Sequence, residues 1–161
     1  MRNARVIVVA AALAAPFGTA LIAQAADEGP HDKAIEARQA MFRLYGWNAG
    51  TLFGMAKEKI DYDAERAAEA AANLDALVNL GHAGLWPEGS DDATEGNAEN
   101  RALPAIWERY PDIEDKMSDL KEATAALNEV AGDGLDALQG AVNDVGGACK
   151  ACHDDYRAEK S

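Results

Sequence analysis

The chain has only two cysteines, Cys149 and Cys152, and a histidine, His153, follows the second directly. The run Cys149-Lys150-Ala151-Cys152-His153 has the C-x-x-C-H spacing of covalent c-type haem attachment. The spacing has a physical basis. Residues three apart on a helix share a face, with β-carbons about 5–6 Å apart. Two thiols so placed can each add to one of the two vinyl groups on one porphyrin edge. His153 lies four positions after Cys149, one turn along on the same side, where its imidazole can reach the iron as an axial ligand. Rival chemistries fit less well. A thioredoxin-like redox pair sits at a helix start after a strand, whereas this pair comes late in an Ala/Val/Gly-rich helical stretch. A structural disulfide would use the same two thiols. A zinc site would need a fourth ligand, and His31 and His82 have no matching spacing. The motif therefore reads as one covalently bound haem, a haem c.

The element that must position these residues shows the clearest periodicity in the chain. Leu135, Leu138, Val142, Val145, Cys149, Cys152 and Tyr156 recur at intervals of 3, 4, 3, 4, 3 and 4, which predicts a helix from about Gly134 to Ala158 with both thiols on its apolar stripe. Gly146 and Gly147 interrupt it. Each glycine costs a helix about 1 kcal/mol relative to Ala, and close approach of the backbone to the porphyrin, or a local kink, would explain them. Three further helical stretches precede it. The first spans about Asp32 to Lys59, with Ile35, Gln39, Phe42, Gly46, Ala49, Leu52 and Ala56 as its inner stripe. The second spans about Asp63 to Leu80, with Gly81 placed as its C-terminal cap. A loop from His82 to about Leu103 is rich in Gly, Asp, Asn and Pro, and Leu85 and Trp86 are its candidates to tuck inward. The third helix begins near Pro104 and is re-initiated or kinked at Pro111. It continues through Ile113, Met117, Leu120, Thr124, Leu127 and Val130. The Gly132-Asp133-Gly134 turn then leads into the last helix, with Asp133 as its candidate cap. No strand pattern and no internal repeat is visible. Amphipathic helices joined by short turns favour antiparallel neighbours, so the expected fold is all-α: an antiparallel up-down-up-down four-helix bundle with covalently attached haem.

Length and composition agree with a single globular domain. The chain has 161 residues, 27% of them charged, and a formal charge of −13. Such an acidic surface disfavours nucleic acid and anionic lipid as partners. Residues 1–25 read as a secretory signal peptide: Arg2 and Arg5, an apolar run from Val6 to Ala23 broken by Pro16 and Gly18, then Ala23-Gln24-Ala25 as a cleavage site. Cleavage after Ala25 removes Arg2 and Arg5, taking the charge from −13 to −15, and leaves 26–161 as the bundle domain. The mature chain has no further segment able to span a membrane, and its expected location is the periplasm.

Only eight residues, Asp154 to Ser161, follow His153, and none is methionine. Any protein ligand on the far side of the iron must come from an upstream helix. At this point the sequence resembles the cytochromes c′, the class II c-type cytochromes, over essentially the whole mature chain. The resemblance is carried by the C-x-x-C-H run with Asp154, Tyr156 and Arg157. It is also carried by Arg38-Gln39 early in the first helix, by Thr94-Glu95-Gly96-Asn97, and by Pro104-x-Ile106-Trp107. It implies a bundle, often a homodimer through its first two helices, with five-coordinate high-spin iron. His153 would be the axial ligand, and an apolar side chain would block the opposite side. That distal position falls three residues after the Arg-Gln pair, on Phe42, whose ring offers no lone pair. Met-ligated, low-spin members of the class carry methionine there. In this chain Met41 is one residue earlier, about 100° around the helix. The resemblance also implies that Arg38 and Gln39 lie at the haem edge, with Arg38 able to pair a propionate. The competing reading of Arg38 is a surface arginine with its stem laid along the helix. Arg157, four after His153, resembles the family's proximal arginine, or else is a plain surface charge. Leu44 and Phe53 lie off the expected stripe and are candidates for a dimer face. Tyr156, Trp86 and Trp107 are expected to pack, and Asp112, Glu114 and Asp115 to form a solvated helix start.

The resulting functional expectation is a periplasmic protein that is not an enzyme. It would carry single electrons to and from an unidentified redox partner, bind a small diatomic gas (NO, CO), or both. The alternative is a Met-ligated low-spin carrier that only transfers electrons. Peroxidase-like catalysis would need a distal acid–base pair, which Phe42 does not supply.

Overall fold

The computed structural model describes residues 29–159. The expected signal segment lies outside the described residues. Among the described residues there are five α-helices: α1 (Asp32–Ala56), α2 (Ala64–Val78), α3 (Ala105–Glu108), α4 (Asp112–Val130) and α5 (Leu135–Tyr156). The four long helices pack as a ring in which α1 meets α2, α2 meets α4, α4 meets α5, and α5 returns to α1. They run up, down, up, down. At one end Tyr62 Oη donates to Ala131 O at 2.9 Å and accepts from Gly134 N at 3.0 Å, which joins the α1–α2 turn to the α4–α5 turn. Gln139 on α5 caps α1 there by donating to Ala56 O at 2.8 Å. The opposite end gathers the start of α1, the end of α2, the start of α4 and the end of α5. The long loop and α3 fold over that end.

Helix limits follow local chemistry. Asp63 starts α2 by accepting Arg66 N at 2.8 Å. Asn79, not Gly81, caps its far end. Glu58 turns into the left-handed region (φ 53) and stops α1 before the expected Lys59. The expected third helix is divided at Pro111, as the missing backbone donor requires, into the short α3 and the long α4. Gly134, with φ 129, and not Asp133, occupies the N-cap of α5. That φ suits glycine.

The inner face of α1 differs from the sequence expectation. Ile35 and Leu52 are buried as anticipated, but between and beyond them the structure buries Arg38, Met41, Tyr45, Asn48 and Met55. Gln39, Phe42, Gly46 and Ala56 are therefore displaced from the centre of the stripe by about one residue's rotation. The physical reason is side-chain volume. Met41, Tyr45 and Met55 bring more apolar surface inward than Gly46 and Ala56, and burial of that surface stabilises at roughly 25 cal/mol per Å². The polar members are satisfied where they sit. Asn48 Nδ2 donates to Leu44 O at 2.9 Å, and Tyr45 Oη donates to Leu77 O at 3.1 Å. Thr124 on α4 finds acceptors 3.1 Å away in Asp75 Oδ1 and Lys121 O.

The apolar interior has two parts. The main core lies among the four long helices and includes Leu52, Met55, Val78, Leu127, Leu138 and Val145. A second cluster of Ala102, Ile106 and Tyr156, with Trp86 and Trp107 packed on it, lies under the loop and α3. Phe53 belongs against the main core. A β-carbon at Gly146 would come within 3.1 Å of its ring. Gly146 thus makes room for Phe53, which is partly buried against the main core, and α5 runs through both glycines unbroken.

Candidate functional site

α5 brings Cys149, Cys152 and His153 to the capped end of the bundle. Neither cysteine is in a disulfide, and both are half-buried. They meet different walls: Cys149 packs against the main core, and Cys152 packs against the cluster under α3 with Trp86 and Trp107. The helix ends at Tyr156 because Arg157 takes an extended conformation and pairs with Ala102 as an isolated bridge. Leu103 N donates to Tyr156 O at 3.1 Å and Ala158 N to Arg101 O at 2.9 Å. Arg101 also grips Ala158 O through Nε at 2.7 Å and through Nη2. The loop is thereby fastened to the end of the helix that carries the motif.

His153 is half-buried, and Arg157 Nη1 lies 3.4 Å from its Nε2. Burial first, and then the Arg157 and Arg101 charges, push the imidazole pKa below its ordinary value, with Asp154 opposing. The ring is thus held neutral, the state that can ligate a metal. Burial raises the pKa of both cysteine thiols. Tyr156 is buried, its hydroxyl donates to Asp112 Oδ2, and the Arg109 guanidinium carbon lies over its ring, 4.7 Å from the centre.

Across from α5, α1 presents Arg38, Gln39 and Phe42. Arg38 is 3% exposed and held by the loop at Ser90 and Asn100, so its guanidinium is not a surface group. Gln39 Nε2 donates to Glu99 O at 2.8 Å. Phe42 is 38% exposed. Its ring stands edge-on to Tyr45 at 5.2 Å and to Trp86 at 6.2 Å, while Met41 beside it is buried in the main core. Trp86 connects the two sides: Trp107 Nε1 donates to its carbonyl at 3.3 Å, and its ring lies 6.4 Å from that of Trp107. Two same-face thiols, a neutral imidazole one turn along, and apolar walls of aromatic and aliphatic side chains fit a porphyrin tethered at one edge. No group of three or more His, Cys, Asp or Glu able to hold a separate metal ion occurs among the described residues.

Residues 33–157 match the family model of cytochrome c′. The chain belongs to the cytochrome c′ family. These are haem proteins, and their four-helix bundle is the fold seen here. The chain is 45% identical over 127 residues to cytochrome c-554 of Cereibacter sphaeroides, covering 78% of this chain and 93% of that protein. It is 36% identical to cytochrome c′ of Halomonas halodenitrificans, covering 81% and 98%. A solved cytochrome c′ of Rhodobacter sphaeroides superposes with a TM-score of 0.78 at 35% identity, covering 81% of this chain and 98% of that one.

Sequence reasoning singled out the motif and Phe42 as candidates, and the structure places them at this end of the bundle. It missed Ser90, Asn100, Arg101 and Tyr45, since loop side chains and a phase-shifted tyrosine carry no periodic signal. Burial and the Asp112 hydrogen bond push the Tyr156 pKa up to about 12, and burial does the same for Tyr45. Both phenols keep their protons in the folded protein at pH values where the unfolded chain has lost them. Stability is then full below pH 10 and falls as pH rises from about 10 to 12. Denaturant melts across that range will show the decline, less steep in Tyr156→Phe; an unchanged slope in the variant would contradict the assignment.

Proposed function

We propose that this member of the family is a periplasmic protein, not an enzyme, with one haem c joined covalently to Cys149 and Cys152. His153 is the axial ligand, and Phe42 blocks the opposite side, so the iron is five-coordinate and high-spin. The observation that carries the reading is the contrast between neighbours on α1. The Met41 side chain is committed to the main core, while the Phe42 ring stands at the flank beside Trp86, which packs with Cys152. When bound, the haem supplies a one-electron iron couple and a place for a small diatomic gas. The chain's own residues do the rest. The two thioether-forming cysteines hold the ring edge in either oxidation state. His153 offers a neutral nitrogen. Phe42 offers bulk without a lone pair and so disfavours larger or weaker ligands. Gas binding draws support from a relative, the Alcaligenes xylosoxidans cytochrome c′, described as a ferrous variant with bound NO.

The spin state and the blocking role are tested together. Ferrous holoprotein should be high-spin, Phe42→Ala should bind carbon monoxide about tenfold faster, a barrier change near 1.4 kcal/mol, and Met41→Ala should cost about 2–5 kcal/mol of stability without altering the spin state. A low-spin spectrum that Met41→Ala converts to high-spin would establish the Met-ligated alternative instead.

The same protein is a homodimer in this proposal. On the outward face of α1, Trp47 is 74% exposed and Leu44 51% exposed, three positions apart and so on one side of the helix. Another relative is described as a cytochrome c′ with ligand-controlled dimer dissociation. Sedimentation should give a dimer for the parent and a monomer for Trp47→Glu; a monomeric parent would refute the assignment.

A further inference from the structure

The Arg38 side chain does more in this structure than either reading of the sequence supplied. Nη1 donates to Ser90 Oγ at 2.6 Å, and Nη2 donates to Ser90 O and to Asn100 Oδ1, the latter at 3.0 Å. Ser90 is wholly buried, and Asn100 Nδ2 in turn donates to Asp91 O at 3.1 Å. Both protons of Nη2 are therefore spent on the loop. Each of the two edges on which a guanidinium grips a carboxylate with parallel hydrogen bonds includes Nη2. A bidentate pair with a haem propionate would have to displace the loop.

The guanidinium carbon of Arg38 lies over the Trp86 ring, 4.7 Å from its centre, a distance at which cation and ring attract. The other neighbour of that indole on α1 is Phe42, at 6.2 Å and edge-on. Arg38 and Phe42 are four residues apart on one helix, so the indole contacts two positions one turn of α1 apart, the guanidinium and the phenyl ring. Trp86 is also where the loop reaches the cluster containing Cys152. One side chain thus fixes two stations of the loop, Ser90 and Asn100, and contacts the ring that abuts Phe42.

We propose that Arg38 is a positioning residue: by fastening Ser90 and Asn100 to α1 it seats the Trp86 indole against Phe42 and limits how far the Phe42 ring can swing. Ligand entry on that side is then set by the loop as well as by Phe42 itself. The consequence for ligand entry rests on Phe42 being the distal residue; the clamp does not.

The test uses holoprotein and three variants: Arg38→Lys, which keeps the charge and loses the fork; Ser90→Ala, which removes one acceptor; and Trp86→Phe. Amide exchange across residues 89–101 reports the clamp, and carbon monoxide association after flash photolysis reports the distal ring. Arg38→Lys should raise both rates, the association rate by about fivefold, within the range of coupling that contacting residues show. Ser90→Ala should change both in the same direction by less, and it guards against loss of folding in the lysine variant. In a Trp86→Phe background, Arg38→Lys should add little to the association rate, because the effect travels through the indole. A purely propionate-binding Arg38 would leave amide exchange and carbon monoxide association unchanged and alter only the pH dependence of the reduction potential; that result would overturn the proposal. A low-spin parent would overturn the reading of Phe42 and the consequence for ligand entry, whereas unchanged amide exchange would overturn the clamp itself.

Discussion

The haem proposed here, a large flat group fastened to one helix at two points three residues apart, needs walls that other elements supply. The structure meets that constraint by dividing its apolar interior. Cys149 faces the core among the long helices, and Cys152 faces a separate cluster roofed by α3 and the loop. Residues of α5 contribute to both walls, but other elements complete them. The first adds side chains of α1, α2 and α4, and the second adds α3, Ile113 of α4 and a segment that sequence composition marks only as a loop. The capped end of the bundle is therefore the place where the chain's otherwise regular up-and-down packing is given up.

The loop is held at both sides of that end. Arg101 and the short backbone pairing of Ala102 with Arg157 tie it to the end of α5. Arg38 ties it to α1. Asp32 adds a third attachment near the start of α1, accepting Ala98 N at 2.6 Å. Such fastening substitutes for the regular hydrogen bonding that a loop lacks, and buried polar groups that are fully engaged hold a single arrangement more firmly than apolar contacts alone. It also explains why a strongly acidic chain keeps an arginine almost completely buried. Burial lowers its pKa, and Asp91 nearby works against that shift.

The last helix was legible because its apolar stripe is strict, and the motif lies on the same stripe. The division of the third helix was legible from Pro111, and the start of the second from Asp63. The first helix misled by one residue because its true inner face carries Arg38 and Asn48, which look like surface residues until their partners are known, while Gly46 and Ala56 look acceptable inside. Those partners, Ser90 and Asn100 for Arg38, are 52 and 62 residues away. No periodicity connects them. Gly146 was legible as unusual, but the group that needs its space is Phe53, on another helix. Leu44 remains exposed as the sequence suggested, and Trp47 beside it is the larger feature of that face.

The account depends on a porphyrin bonded to α5 through both sulfurs. The most direct measurement is the intact mass of protein exported by a cell with cytochrome-maturation machinery, combined with a pyridine haemochrome spectrum. The account predicts one haem per chain on a polypeptide beginning after Ala25, with both thiols consumed and the Cys152→Ser variant retaining a single bond. A colourless chain of unmodified mass, with its two thiols free or joined to each other, would contradict it.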